Sequence, residues 1–271
     1  MKLIFLDVDG TLCPSGTNTP PDSALEAMDR ARAAGHKLFL CSGRNRDMLE
    51  PLFRYGFDGY IASAGGYVVC GEELLFDCPM PPEEVEELMD LLAREGVYRM
   101  AEALDGTFSD PGVMDFLAEK EGGSELARWR RALEENLGVR PMSEYDGRRV
   151  YKLVFLCESP DRLLPVRERY ENRYRFVLQD SHVRGLCNGE LINRRFDKGR
   201  GVRRIAEKLG VPLSDAVGFG DSMNDLELIE TAGVGVCMAN GSETLKARAD
   251  WVCPALEEDG LAQAFERFSL M

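Results

Sequence analysis

The chain has 271 residues, enough for a well-buried core and more than the usual single domain, so a domain with a sizeable insertion, or two domains, is expected. Its 47 acidic side chains outnumber 33 basic ones, and the formal charge of -14 repels both a nucleic-acid backbone and an anionic membrane surface, which excludes them as expected partners. An anionic small substrate would then have to be drawn in by a local cation or a bound metal ion.

The first apolar run, residues 3–6, is too short for a signal-peptide core and is closed by Asp7. It opens an alternation of strand and helix patterns: a helix at 23–34, a strand at 37–41, a helix at 46–55 and a strand at 60–62. Strands this short and this apolar are expected to be parallel and covered on both faces, with the helices as right-handed crossovers. The rhythm returns near the end, with a helix at 201–209, a strand at 216–219, a helix at 225–232 and a strand at 235–238. Between the two stretches the texture changes. Helix patterns at 83–95, 114–121 and 124–137 precede strand patterns at 150–156, 174–179 and 183–187, without strict alternation. The expected fold is therefore an α/β core, residues 1–80 and 189–271, with an α+β module inserted at 81–188. Eight cysteines without a CxxC pair read as reduced thiols, and no membrane span is visible, so the cytoplasm is the expected compartment.

Four segments carry chemistry. In Leu6-Asp7-Val8-Asp9-Gly10-Thr11 a buried strand delivers two carboxylates and a hydroxyl at its C-terminal end, where open α/β sheets bind ligands. Capping of the strand end is the plainer alternative for these acids. In Cys41-Ser42-Gly43-Arg44 a strand ends in a hydroxyl, a glycine and a cation, suited to phosphate oxygens; Ser42 could equally cap the following helix. A cysteine-based phosphatase loop would need arginine six positions after Cys41, but that position is Asp47. Lys198 opens a helix, where it opposes the macrodipole unless an anion is bound nearby. In Gly220-Asp221-Ser222-Met223-Asn224-Asp225 a strand again ends in acids. Asp7, Asp9 and Asp221 at neighbouring strand ends would repel one another unless a cation or a shared proton lies between them, and a hard divalent ion such as Mg2+ meets that need.

The four motifs, in this order and with a large insertion between the second and third, resemble the haloacid dehalogenase superfamily, specifically its Cof-type phosphatases with a C2-type cap. The resemblance continues through Gly233–Gly241, Ala249–Val252 and Glu258-Asp259-Gly260. It implies a Rossmann-like core and a magnesium-dependent phosphomonoester hydrolase acting on a small phosphorylated metabolite through an aspartyl-phosphate. Asp7 would be the nucleophile and Asp9 the general acid/base. Asp7, the main-chain carbonyl of Asp9, and Asp221 would bind Mg2+. Thr11, Ser42, Gly43, Lys198 and Asn224 would hold phosphate, and Asp225 would orient Lys198 or metal-bound water. The insertion would cover the cleft. A phosphomutase on the same scaffold and a noncatalytic ligand-binding protein are the alternatives. Ala64 stands where the family usually has asparagine. Arg44 could reach the phosphate or leaving group, or pair with a helix acid, and His182 could read the leaving group or sit in a surface turn. Glu190 matches a family position but could be an exposed strand acid. The oligomeric state is not legible.

Overall fold

Residues 1–120, 138–178 and 184–271 are described in the computed structural model, and they divide into two units. The first comprises Met1–Arg44, Leu49–Asp77 and Phe196–Met271; the second comprises Asn45–Met48 and Cys78–Arg195. The second unit thus begins three residues before the expected boundary and ends seven after it.

In chain order the first unit contributes strands β1 (Leu3–Leu6), β2 (Lys37–Cys41), β3 (Gly59–Ala62), β4 (Tyr67–Cys70) and β5 (Glu73–Asp77). The second unit contributes β6 (Tyr98–Ala103), β7 (Gly106–Ser109), β8 (Val139–Pro141), β9 (Val150–Cys157), β10 (Tyr174–Leu178) and β11 (Cys187–Asn193). The chain then returns to the first unit as β12 (Ala216–Gly220), β13 (Val234–Met238) and β14 (Trp251–Cys253).

The first unit's sheet runs β14-β13-β12-β1-β2-β3-β4-β5. It is parallel from β14 to β3 and closes with an antiparallel hairpin, β4 and β5, that the sequence reading did not resolve. Every side chain of β1 is buried, because both faces are covered. Ile4 and Leu6 face the helices Asp22–Ala33 and Gly260–Arg267 through Met28, Leu261 and Phe265, whereas Leu3 and Phe5 face Lys198–Leu209 and Leu226–Thr231 through Val202, Ile205 and Leu228. At about 1.5–3 kcal/mol per fully buried aliphatic or aromatic side chain, this strand is among the most strongly anchored segments of the unit. The residues that follow it therefore start from a rigid platform.

In the second unit the sheet runs β10-β11-β9-β6-β7-β8, antiparallel except for the β7–β8 pair. Leu153, Phe155 and Cys157 of β9 pack with the helices Pro82–Arg94 and Leu164–Tyr170, while Val154 and Leu156 belong to the opposite cluster with Met100 and Phe116. The alternation puts Lys152 on the latter face. There its buried Nζ lies 2.5 Å from Glu190 Oε1 and 3.3 Å from Glu102 Oε2, so Glu190 is an ion-pair partner rather than an exposed strand acid.

Two local expectations are revised. The helix expected from residue 201 begins at Lys198, because Asp197 caps it by accepting from Arg200 N at 2.7 Å. The strand expected at 183–187 is instead β11, which starts at Cys187 and includes the polar Asn188 and Glu190. The helix expected at 124–137 lies outside the described residues. All eight cysteines are free, and six are buried. Among the described residues no helix is long and apolar enough to cross a membrane.

Candidate active site

Asp7 directly extends β1: its N–H donates to Phe219 O of β12 at 3.0 Å, so the backbone is still held in the sheet while the side chain passes its C-terminal edge. The chain then turns back, with Gly10 N bonded to Cys13 O and Leu12 N to Asp7 O. Gly10 lies at φ +80°, and a Cβ there would stand 2.3 Å from Asp221 Oδ2. Only glycine permits this approach of the turn to the end of β12. Asn240, after β13, fixes the same turn by donating from Nδ2 to Gly10 O at 2.8 Å.

Lys198 links the two acidic segments. Its fully buried ammonium lies 2.6 Å from Asp7 Oδ1, 2.5 Å from Asp225 Oδ1 and 3.1 Å from Asn224 Oδ1. Burial alone would lower its pKa, but Asp225 and Asp7 raise it well above the usual lysine value. These two carboxylates supply the anions that a lysine at a helix start requires. Asp225, itself fully buried, is committed on both oxygens, since Oδ2 accepts from Asp221 N and Ser222 N at 3.1 Å each. It therefore orients Lys198 and the loop carrying Asp221.

Asp7, Asp221 and Asp225 each offer an oxygen within 4.8 Å of the others. Burial, then Asp225, push the Asp7 carboxyl up to about 7; burial, then Asp7 and Asp225, push Asp221 up to about 9. Asp221 Oδ1 is buried and takes no hydrogen bond among the described residues. Oxygen donors, crowded negative charge and an unsatisfied buried carboxylate oxygen together fit a hard divalent cation. With Asp225 fully engaged, Asp7 and Asp221 are the side chains able to hold it.

Asp9 points elsewhere. Its Oδ2 accepts from Arg44 Nε at 2.8 Å, and its Oδ1 accepts from Arg44 Nη2 and Gly16 N, each at 2.7 Å. Burial would raise its pKa, but the guanidinium's hydrogen bonds and charge hold the carboxyl below its ordinary range. Among the described residues Arg44 thus forms its ion pair with Asp9 rather than with a helix acid. Its remaining bonds go to Asn18 Oδ1 at 2.6 Å and Thr17 O at 2.9 Å.

Ser42 N donates to Ile61 O, and Ser42 Oγ accepts from Arg44 N at 3.1 Å, the local turn bond that a strand-end serine commonly makes. Gly43 lies within that turn. Ser63 N and Ala64 N donate to Arg44 O and Ser42 O at 2.7 and 3.0 Å, tying the third strand's end to the second. Ala64 holds φ +56°, a conformation that asparagine tolerates better than alanine. Thr11 Oγ1 is buried without a hydrogen bond among the described residues. His182 lies outside them.

Of the site residues expected from sequence, Asp7, Lys198, Asn224, Asp225 and Asp221 are brought together, with Asp9 beside them but turned to Arg44. Asn240 was missed as a positioning residue. Its sequence signal lies in the Ala239-Asn240-Gly241 turn after a strand, within the Gly233–Gly241 stretch that carries the resemblance.

A family model described as haloacid dehalogenase-like hydrolase matches residues 4–265. The 5-amino-6-(5-phospho-D-ribitylamino)uracil phosphatase YwtE of Bacillus subtilis is 26% identical, covering 97% of this chain and 96% of its own. The pyridoxal phosphate phosphatase YbhA of Escherichia coli is 24% identical over the same shares. Among solved structures, the subclass IIB sugar phosphatase BT4131 superposes with a TM-score of 0.79 at 23% identity, covering 100% of both chains.

Proposed function

The chain belongs to the haloacid dehalogenase-like hydrolases, and from that membership and its site we propose that it hydrolyses small phosphomonoesters through covalent attack by Asp7. One observation carries the reading: a buried carboxylate at the end of the central strand is held by a lysine through a single oxygen, with a second acid two residues away.

In the first step an Asp7 oxygen forms a bond to phosphorus as the bond to the leaving oxygen breaks, and Asp9, protonated once its carboxyl has turned away from the Arg44 guanidinium, gives its proton to that oxygen. In the second, Asp9 takes a proton from water, whose oxygen attacks phosphorus and releases phosphate with Asp7 restored. Lys198 stays charged throughout and offers positive charge to the transferring group, while Asp225 and Asn224 keep it in place. Thr11, Ser42 and the Gly43 amide are the further phosphate donors of this reading. Asp7, Asp221 and the main-chain carbonyl of Asp9 would hold Mg2+, which when bound offsets the negative charge of the phosphoryl oxygens.

The relatives' names specify a phosphoribitylaminouracil, pyridoxal phosphate and a sugar phosphate, three unlike leaving groups on one scaffold. They support a small phosphorylated metabolite as the substrate class and single out none. The test is release of inorganic phosphate from a metabolite panel with Mg2+ and no acceptor, by wild type and Asp7→Asn. Turnover at background in the folded variant is expected; retained turnover would reject covalent attack by Asp7.

A further inference from the structure

Two of the eight cysteines stand directly opposite each other in the second unit. In the antiparallel pairing of β9 with β11, Cys157 is the register partner of Cys187, and no other two cysteines share a rung of either sheet. Directly opposed residues of antiparallel strands hold their Cα atoms about 4.5–5.5 Å apart, inside the roughly 4.4–6.8 Å span that a disulfide requires. Both side chains lie on the face packed by the helices Pro82–Arg94 and Leu164–Tyr170, and the two thiols are in hydrogen-bond contact. The rung is the last residue of β9 and the first of β11, so the backbone around it is less constrained than in mid-sheet. Cys157 is buried and Cys187 only partly, which makes Cys187 the thiol that a solute reaches.

We propose that Cys157 and Cys187 form a reversible disulfide, made by exchange with a low-molecular-weight disulfide, that staples β9 to β11 and stabilises the second unit. The Cys187 thiolate attacks one sulfur of glutathione disulfide and expels a glutathione thiolate, leaving a mixed disulfide. The Cys157 thiolate then attacks the Cys187 sulfur and expels the second glutathione. Both protein thiols lose their protons, two electrons pass to the small disulfide, and two reduced glutathiones result. Excess reduced glutathione runs the same steps backward. Burial pushes Cys157 up to about 12 and raises Cys187 as well, so exchange is slow at neutral pH and quickens as pH rises. The bond closes residues 158–186 into a loop that contains the helix Leu164–Tyr170 and the edge strand β10, and closing such a loop restricts the unfolded chain more than the folded one.

The experiment equilibrates the full chain with glutathione disulfide at several pH values, blocks remaining thiols by alkylation, and reads the products by intact mass and peptide mapping. Wild type, Cys157→Ser and Cys187→Ser are compared, and each is melted before and after oxidation. The expected wild-type product has lost two hydrogens, carries no glutathione, links the Cys157 peptide to the Cys187 peptide, and forms faster at higher pH. Its melting temperature should rise by on the order of 5–10 °C, a gain that excess reduced glutathione removes. Cys157→Ser should stop at the mixed disulfide on Cys187. Should that variant fail to fold, Cys187→Ser serves instead, and its melting temperature should not respond to the oxidant. Accumulation of the mixed disulfide in wild type, a link between other cysteines, or a Cys157–Cys187 bond that leaves the melting temperature unchanged or lower would each overturn the proposal.

Discussion

Replacing Asp225 by asparagine removes one charge and almost no volume from the most buried part of the site. The carboxylate now accepts from Lys198 Nζ on one oxygen and from the Asp221 and Ser222 amides on the other. An amide cannot do both: turned one way it sets its NH2 against the ammonium, and turned the other it sets it against two N–H donors. Either rotamer leaves buried donors unsatisfied, at about 1–3 kcal/mol each. The lysine also loses one of its two compensating charges, and breaking a buried ion pair from one side costs about 3–5 kcal/mol. Since these terms overlap, the expected loss is about 3–5 kcal/mol of a total that is seldom above 15 kcal/mol. Urea denaturation in chelator, comparing midpoints at unchanged slope, measures it. A loss below about 1 kcal/mol would show that Lys198 is held by Asp7 alone and refute the anchoring role given to Asp225.

Three further outcomes are expected. Chelation should abolish turnover and Mg2+ restore it, while Ca2+ should inhibit because its looser coordination misplaces nucleophile and phosphate; full turnover in metal-free protein would count against the site. Burial and then Glu190 raise Glu102 to about 7 against Lys152's opposing charge, so the folded state holds this proton more tightly than the unfolded one. Stability should then fall as pH rises from about 4.5 to 7 and level off above, by up to about 3 kcal/mol, a slope that Glu102→Gln should remove from denaturation curves. Gly65→Ala should destabilise by more than about 2 kcal/mol, because φ is +105° and the new Cβ would lie 2.3 Å from Asp197 O, at the start of the Lys198 helix; melting temperature and turnover should fall together.

The central strands were legible because a strand covered on both faces must be a short apolar run, and β1, β2, β12 and β13 are little else. The motif residues could be found because each follows such a run directly. β11 was misplaced for the opposite reason: Asn188, Gly189 and Glu190 look like a turn unless the buried Lys152 across the sheet is known. β5, which completes the hairpin with β4, was hidden by its edge position, where Glu73 and Leu74 are exposed and apolar patterning is weak. Arg44 and Asp9 are 35 residues apart, both in loops, and no local pattern links them. Lys198 was singled out by its unfavourable place at a helix start, but its two carboxylate partners come from other strand ends.

The allotment of Asn45–Met48 to the second unit bears on protein engineering. These four residues are severed in sequence from Cys78–Arg195, yet Asn45 Nδ2 donates to Thr107 Oγ1 at 3.2 Å and Asp47 N donates to Leu104 O at 3.1 Å. A chimaera that transplants residues 78–195 alone into a relative would leave the β6–β7 turn facing a foreign tetrapeptide. Grafts should carry both pieces, and a library that shuffles insertions at a single crossover pair will under-represent functional hybrids.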